Sequence, residues 1–285
     1  MERAEQAAGR IDYLVSYPKS GNTWMRILLA NYFSEKDRPH DINDPGVVNR
    51  IISSRALFDD LAGIPSTDLT QAEIDALMPS VLATLASNGT ERVWLKVHDA
   101  QFRLPNGSFR LPPEVSGAAV YIVRNPLDVA VSLAFHSGSS IEYAVQRLCD
   151  AEHSMGGAGA VHLRQWLGSW SQHVESWIGQ QEIPTLVVRY EDMLQDAAQE
   201  LERVITFARP EVAIDHAKAK RAVQAAHFDK LRAMEDRSGF RERDARQKAF
   251  FRSGRSGDWQ EYLSSEQVKR IQDHHGAIMR NFGYL

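Results

Sequence analysis

Tyr17-Pro18-Lys19-Ser20-Gly21-Asn22-Thr23-Trp24 is the most informative segment for the fold, because it joins an apolar run to an amphipathic one. The run before it, residues 11–17, is short, β-branched and aromatic, which is typical of a strand. After it, apolar residues recur at helical spacing from Met25 to Tyr32. A strand, a tight loop and a helix in this order point backbone N–H groups and the positive end of the helix dipole at one spot. The stretch therefore predicts a phosphate-binding loop in an α/β protein.

Strand-like and helical segments alternate along the rest of the chain. Three further apolar runs are strand-like: 93–97, 118–123 and 184–190. Apolar residues at helical spacing fill three longer segments: 70–85, 163–178 and 265–282. This alternation predicts a central parallel β-sheet flanked by helices. No linker rich in proline, glycine and serine divides the chain, so residues 1–285 are expected to form a single α/β domain.

Composition excludes several classes of protein. The 285 residues carry 33 Lys and Arg against 37 Asp and Glu, a net charge of −4, which argues against a general nucleic-acid or membrane-surface binder. Any site that binds an anion must then be confined to one part of the protein. Cys149 is the single cysteine, which excludes a disulfide scaffold and a zinc finger. Residues 1–6 carry charges and no apolar stretch, so we expect no secretory signal and a cytoplasmic location.

The chemistry of the loop narrows the choice of ligand. Lys19 adds a full charge, Gly21 allows an anion close to the backbone, and Ser20 and Thr23 add hydroxyl donors. In a Mg-nucleotide P-loop the Lys follows the last Gly, whereas here it precedes Gly21. A P-loop kinase also needs an acidic residue after a strand to hold Mg²⁺, and Arg124 stands there instead. A P-loop kinase and a non-catalytic nucleotide-binding module both remain open as functions of this loop.

Five segments, in order along the chain, resemble those of one family. Residues 17–24 resemble the 5′-phosphosulfate loop of the soluble, cytosolic-type sulfotransferases that use 3′-phosphoadenosine 5′-phosphosulfate (PAPS). Residues 94–98 resemble the family's Lys-x-His element, and residues 121–132 its 3′-phosphate strand and helix. Residues 189–193 resemble the segment whose Tyr lies by the adenine, and residues 251–259 the Arg-Lys-Gly-x-x-Gly-Asp-Trp loop.

The resemblance implies an activity and a set of site residues. It implies transfer of a sulfuryl group from PAPS to a hydroxyl of a small-molecule acceptor, leaving 3′-phosphoadenosine 5′-phosphate (PAP), with no metal. It implies His98 as the general base, with Lys19 and Lys96 completing the catalytic set. The residues implied in nucleotide binding are Lys19, Ser20, Gly21, Asn22, Thr23, Trp24, Arg124, Ser132, Tyr190, Phe228, Arg252, Ser253 and Gly254.

Residue spacing supports these roles independently. Lys96 and His98 are two residues apart at the end of a predicted strand, so their side chains share one face, about 7 Å apart. A His there can accept a proton from a hydroxyl while Lys96 and Lys19 neutralise a leaving phosphate oxygen. Lys19 and Arg124 follow different strands, and open α/β sheets bind ligands at the carboxyl ends of their strands. They are therefore candidates for two separate anion sites.

Some positions depart from the family pattern or leave the function open. Ser253 stands where the family has Lys, and Arg255 is the candidate replacement. Segments 36–69, 136–159 and 234–250 have weak patterns and are either lids over the site or surface loops. Aromatic residues in or near them would give an apolar acceptor pocket: Phe102, Phe135, Tyr143 and Phe240. The family's dimer motif is not reproduced after residue 259, and the oligomeric state stays open.

Overall fold

A parallel sheet forms the centre of the computed structural model, which describes residues 11–35, 38–44, 46–88, 91–157, 161–243 and 247–285. Within those ranges the sheet has five strands in the order β2-β3-β1-β4-β7, and two short strands, β5 and β6, pair antiparallel beside it. The strands are β1 (Ile11–Ser16), β2 (Arg50–Ile51), β3 (Val93–Val97), β4 (Ser116–Val123), β5 (Ser154–Met155), β6 (Gln165–Trp166) and β7 (Thr185–Arg189).

Helices cover both faces of the sheet. Along the described part of the chain they are α1 (Asn22–Phe33), α2 (Arg55–Ala62), α3 (Gln71–Ser87), α4 (Pro126–Ser137), α5 (Ile141–Cys149), α6 (Trp170–Ile178), α7 (Tyr190–Gln195), α8 (Ala197–Ala208), α9 (His216–Ala225), α10 (Phe228–Ser238), α11 (Trp259–Tyr262) and α12 (Ser265–Asn281), with 3₁₀ turns at Ser66–Asp68 and Pro113–Val115. This confirms the predicted α/β domain with a parallel sheet flanked by helices.

The core consists of two apolar layers, one on each face of the sheet. Successive side chains of β1 alternate between them, since Tyr13 packs in one cluster and Leu14 in the other. The first cluster includes Trp170 and Trp177 of α6, and the second includes Leu28 of α1. All six residues of β1 are buried, as a central strand covered on both faces requires.

The strand order sets out the ligand-binding edge. All five strands are parallel, so their carboxyl ends lie at one edge. Across that edge the chain continues in turn from Ile51 after β2, His98 after β3, the 17–24 loop after β1, Arg124 after β4 and Tyr190 after β7. The predicted site residues therefore stand side by side at the edge where α/β sheets bind ligands.

The predicted helix over residues 163–178 is wrong in its first half. Gln165 pairs with Met155 in the short antiparallel ladder, and the helix begins at Trp170. Gly168 has a φ of 63°, which breaks the helical backbone, and Ser169 starts a new helix through a capping box with Gln172. The apolar spacing is real, but these turn and cap residues divide it.

The three weakly patterned segments are partly regular. The first, 36–69, holds β2 and α2, and the second, 136–159, holds α5 and β5. The third, 234–250, begins with the end of α10 and reaches the ligand-binding edge. Residues 158–160 and 244–246, like residues 1–10, lie outside the described ranges. In the described ranges, no helix combines the length and apolarity needed to cross a membrane.

Candidate active site

A cavity of about 470 Å³ opens at the carboxyl edge of the sheet and gathers nearly all of the predicted site residues. Its wall includes the three catalytic candidates and every nucleotide-binding candidate except Ser20. These residues are Lys19, Gly21, Asn22, Thr23, Trp24, Lys96, His98, Arg124, Ser132, Tyr190, Phe228, Arg252, Ser253 and Gly254. Their individual roles remain predictions, but one site accommodates them all.

The 17–24 loop turns sharply to bring its backbone to this cavity. Gly21 has a φ of 109°, and a Cβ there would lie 2.7 Å from Cδ2 of Tyr190, so only glycine fits without displacement. Lys19 also has a positive φ, 70°, which is a strained backbone conformation for a residue other than glycine. Ser20 is fully buried and is not part of the cavity wall, and among the described residues its hydroxyl has no hydrogen-bond partner, so its role as a donor to the ligand stays a prediction. Asn22 begins α1, whose first N–H groups face the same region.

The side chain of Lys19 in the cavity wall is a candidate to bind an anion. Its Nζ lies 4.0 Å from the centre of the Phe250 ring, and among the described residues no carboxylate pairs with it. Burial, together with the nearby charges of Lys96 and Arg124, lowers the pKa of Lys19 to about 7. An anionic group bound beside it would reverse that effect. The loop therefore has the electrostatics of a phosphate site.

His98 is held as a neutral base. Its Nδ1 lies 2.8 Å from the carbonyl oxygen of Ser16, which can only accept, so Nδ1 carries the proton and Nε2 has the free lone pair. Burial and the neighbouring charge of Lys96 lower the pKa of His98 to about 3. The ring Nε2–H of His173 donates to the backbone oxygen of His98 at 2.9 Å and fixes the chain there. His98 is thus neutral at neutral pH, with Nε2 free to accept a hydrogen bond from a hydroxyl.

Lys96 pairs with a carboxylate that the sequence analysis missed. Its Nζ lies 2.9 Å from Oε2 of Glu242, and Arg26 of α1 pairs with the other oxygen of the same carboxylate. Burial lowers the pKa of Lys96, and the negative charge of Glu242 opposes that shift. Glu242 belongs to a weakly patterned segment, and Arg26 belongs to a helical face, so neither showed a sequence signal.

Arg124 joins the two loops at the other end of the cavity. It donates to the carbonyl oxygens of Lys19 and Arg255, each at 3.1 Å, and its guanidinium lies 4.3 Å from the centre of the Tyr190 ring. Its Nε is buried without a hydrogen-bond partner among the described residues. Ser132, two turns into α4, lines the same end of the cavity. A buried cation with an unused donor fits a second anionic group.

The glycine loop, residues 251–259, is folded around one acidic residue. Asp258 pairs with Arg252 and lies 2.5 Å from Nε of Arg255. Arg255 is 60% exposed and does not line the cavity, so the structure does not support it as the replacement for the family Lys at Ser253. Two other arginines, at positions 241 and 243, do line the wall.

A second carboxylate fastens the glycine loop to α4. Asp128 accepts hydrogen bonds from the backbone N–H of Gly257 at 2.8 Å and of Trp259 at 3.2 Å. This side chain is 2% exposed, and it lies in the first turn of the helix that follows Arg124. It was also missed, because an acid in a first helical turn is ordinary.

Aromatic side chains form the end of the cavity beyond the phosphate loop. The rings of Trp24 and Tyr190 meet edge to face with centroids 5.8 Å apart, and Nε1 of Trp24 donates to the carbonyl oxygen of Ala226 at 3.1 Å. Phe228 follows at the start of α10, packed against Gly254, where a Cβ would lie 2.3 Å from its ring. These flat apolar surfaces suit a nucleobase.

The end beyond His98 is more polar than the sequence suggested. Its wall includes Ile51, Ser53, Met155, His162 and Gln165, which come from the β2 side of the sheet and from the short antiparallel ladder. None of the four aromatic residues expected there lines the cavity. No group of three or more metal-ligating side chains occurs in the described ranges.

Comparison with known proteins identifies the family. The sulfotransferase domain model matches residues 13–283. Cytosolic sulfotransferase 16 of Arabidopsis thaliana is 28% identical over 279 residues, covering 91% of this chain and 73% of that protein. Sulfotransferase 1A1 of Bos taurus is 26% identical over 283 residues, covering 94% of this chain and 83% of that protein. This chain belongs to the sulfotransferase domain family and is a sulfotransferase, as the sequence motifs predicted.

Solved structures share the fold at low identity. The mouse sulfotransferase SULT7A1, crystallised with PAP, matches with a TM-score of 0.59 and 19% identity, covering 95% of this chain and 85% of that one. Retinol dehydratase in complex with retinol and PAP matches with a TM-score of 0.61 and 18% identity, covering 98% and 86%. These similarities confirm the α/β fold.

Proposed function

We propose that this protein transfers the sulfuryl group of PAPS to a hydroxyl of a small or medium-sized acceptor, with His98 as the general base. The observation that carries the proposal is the neutral imidazole of His98, with its free Nε2, in one cavity with the cations Lys19 and Lys96. Residues 1–285 would form one sulfotransferase domain, acting in the cytoplasm as the names of the Arabidopsis relatives suggest.

The two ends of the cavity fit a nucleotide with phosphate groups at both its 5′ and 3′ positions. The 17–24 loop, with Lys19, would hold the 5′-phosphosulfate. Arg124 and Ser132, beside the glycine loop, would hold the 3′-phosphate, and the rings of Trp24 and Phe228 would flank the adenine. Among the described residues the Nε of Arg124 has no hydrogen-bond partner and no carboxylate pairs with Lys19, and both observations support the assignment, as does the PAP bound to the mouse relative.

PAPS supplies a sulfuryl group on a phosphate leaving group, and the protein supplies position and charge. His98 Nε2 takes the proton of the acceptor hydroxyl as its oxygen bonds to sulfur, while the bond from sulfur to the phosphate oxygen breaks. Lys19 and Lys96 stabilise the negative charge that collects on that oxygen. The base follows β3 and the loop follows β1, and the adjacency of these two strands supports an in-line displacement.

The acceptor would bind on the β2 side of His98. The wall there combines the apolar Ile51 and Met155 with the polar Ser53, His162 and Gln165. Such a mixed surface fits an acceptor that carries polar groups as well as carbon surface. Retinol and androsterone, found in the structural relatives, are more apolar examples of the same general class of alcohol.

Incubation with ³⁵S-labelled PAPS and a panel of acceptors tests the proposal. The panel would contain phenols, sterols, sugars and glycopeptides, and we expect a labelled product from at least one of them. Tight binding of PAPS with no transfer to any acceptor would favour a non-catalytic nucleotide-binding module. Turnover of ATP with Mg²⁺ in place of PAPS would favour a kinase.

A further inference from the structure

Glu242 places a carboxylate among the cations of the phosphosulfate end. One oxygen, Oε2, lies 2.9 Å from Nζ of Lys96 and 3.4 Å from Oγ1 of Thr23, which donates to it. The other oxygen pairs with Arg26. These partners come from β3, from the start of α1 and from its second turn, so the carboxylate lies where three parts of the loop-and-strand scaffold meet.

The groups around Glu242 are those that an anionic ligand would use. Thr23 is part of the 17–24 loop, and Lys96 shares the cavity with Lys19. Without a negative charge, the buried ammonium groups of Lys96 and Lys19 would face each other and Arg26 uncompensated. Burial acts to raise the pKa of Glu242, but the charges of Lys96 and Arg26 outweigh it and lower that pKa to about 2. Glu242 is therefore ionised and neutralises this end of the cavity.

The segment that carries Glu242 is attached at both ends. At one end the backbone N–H of Arg241 donates to Oδ1 of Asn43 at 2.8 Å, and Nδ2 of Asn43 donates to the carbonyl oxygen of Gly239 at 3.1 Å. At the other end the buried carboxylate of Glu235 accepts from the backbone N–H groups of Phe250 and Phe251 at 2.7 and 3.0 Å. Hydrogen bonds thus hold the chain both before and after Glu242.

We propose that Glu242 is a resident counter-ion of the phosphosulfate end, which the 5′ anionic group of the nucleotide displaces on binding. The proposal rests on the proposed function, since it assumes that this end receives a 5′-phosphate or phosphosulfate. Two anions on the same lysine would repel each other, so the nucleotide must break the pairs of Glu242 with Lys96 and Thr23. Breaking these pairs costs part of the free energy of nucleotide binding. A variant without the carboxylate should therefore bind the nucleotide more tightly.

Calorimetric titration of two nucleotides into the wild type and Glu242→Gln tests this step. PAP carries the 5′-phosphate, and adenosine 3′-phosphate lacks it. Because the nucleotide no longer has to displace a carboxylate, we expect Glu242→Gln to tighten PAP about tenfold. Adenosine 3′-phosphate should change by less than about twofold, since it does not reach Lys96. Glu242→Ala should act in the same direction and serves as a second variant.

Glu114→Gln is the matched control. Glu114 is exposed just before β4, at the amino end of the sheet, so this variant makes the same change in net charge far from the cavity. It should leave both affinities unchanged. Unchanged or weaker PAP binding by Glu242→Gln and Glu242→Ala, with wild-type binding intact, would overturn the proposal for Glu242 alone. Failure of the wild type to bind PAP would overturn the proposed function and this proposal with it.

Discussion

The imidazole of His98 donates its Nδ1–H to the backbone carbonyl of Ser16 over 2.8 Å, and this bond ties the end of β3 to the end of β1. Ser16 is the last residue of β1, directly before the 17–24 loop. One backbone thus fixes both the tautomer of the proposed base and the start of the loop that would hold the leaving group. In the proposed mechanism, two adjacent strands would therefore align the base with the leaving group.

His98→Ala should abolish most of the activity without a matching loss of nucleotide affinity. Removal of a general base typically lowers kcat by about 10²–10⁴-fold, whereas the Nε2 of His98 is not needed to hold PAP. Single-turnover rates and PAP titration measure the two effects separately. His216→Ala is the control, because His216 is 76% exposed on α9. Full activity in His98→Ala would remove His98 from the mechanism.

Binding of PAP should take up a proton through Lys19 above neutral pH. With its pKa lowered to about 7, Lys19 is largely uncharged at pH 8 in the free protein. A bound phosphate favours the charged form and raises that pKa, so the complex holds more protons than the free protein. Affinity for PAP should therefore fall as pH rises above about 7.

Titration of PAP at pH 8 in buffers of different ionisation enthalpy measures this uptake. The apparent binding enthalpy should change with the buffer in proportion to the protons taken up, approaching one per PAP. Lys19→Gln should remove that dependence. Uptake that persists in Lys19→Gln would mean that another group, such as Lys96, is the one that titrates.

The fold and the donor end could be predicted because their signals are local. The 17–24 loop, His98 and Arg124 each follow a strand, Lys96 lies near the end of β3, and parallel strands must bring such positions to one edge. A short motif with strict spacing therefore specifies both its backbone and its place in the sheet. Ser20 shows the limit, because residue spacing did not reveal that its side chain is fully buried.

The site residues that could not be predicted from the sequence act through tertiary contacts. Glu242 meets Lys96 across 146 positions, and Asp128 meets Gly257 across 129. Contacts between residues so far apart in the sequence produce no periodic pattern from which they could be predicted. The aromatic residues assigned to the acceptor pocket do not line the cavity, because hydrophobicity alone does not distinguish a cavity wall from the core or the surface. Phe240 is buried against Phe250, whereas Phe135 and Tyr143 are exposed.

Arg124→Ala should weaken binding of the 3′-phosphate more than binding of the rest of the nucleotide. Loss of a charged contact costs about 1.5–3 kcal/mol, so PAP should weaken about ten- to a hundredfold. Adenosine 5′-phosphate lacks the 3′ group and should lose less. It will lose something, because Arg124 also donates to the carbonyl oxygen of Lys19 and thereby supports the phosphosulfate loop.

Calorimetric titration of both nucleotides into wild type and Arg124→Ala gives the comparison. A selective loss for PAP supports a 3′-phosphate contact. Equal losses for the two nucleotides would mean that Arg124 acts through the loops it joins, and the 3′-phosphate would then be assigned to the neighbourhood of Arg252.

Gly254→Ala should weaken PAP more than Gly257→Ala does, although both glycines lie in the same loop. Both have a positive φ, 64° and 89°, so an alanine costs each about 1 kcal/mol of backbone strain. At Gly254 the new Cβ would also lie 2.3 Å from the ring of Phe228, whereas at Gly257 nothing lies within 4 Å. Phe228 lines the aromatic end of the cavity, so its displacement should disturb the adenine site.

We expect the PAP affinity of Gly254→Ala to fall about tenfold and that of Gly257→Ala to stay within about threefold, with similar small losses in Tm. Calorimetry and thermal unfolding of the two variants measure this, and equal losses of affinity would show that backbone strain in the loop, and not the contact with Phe228, sets nucleotide binding.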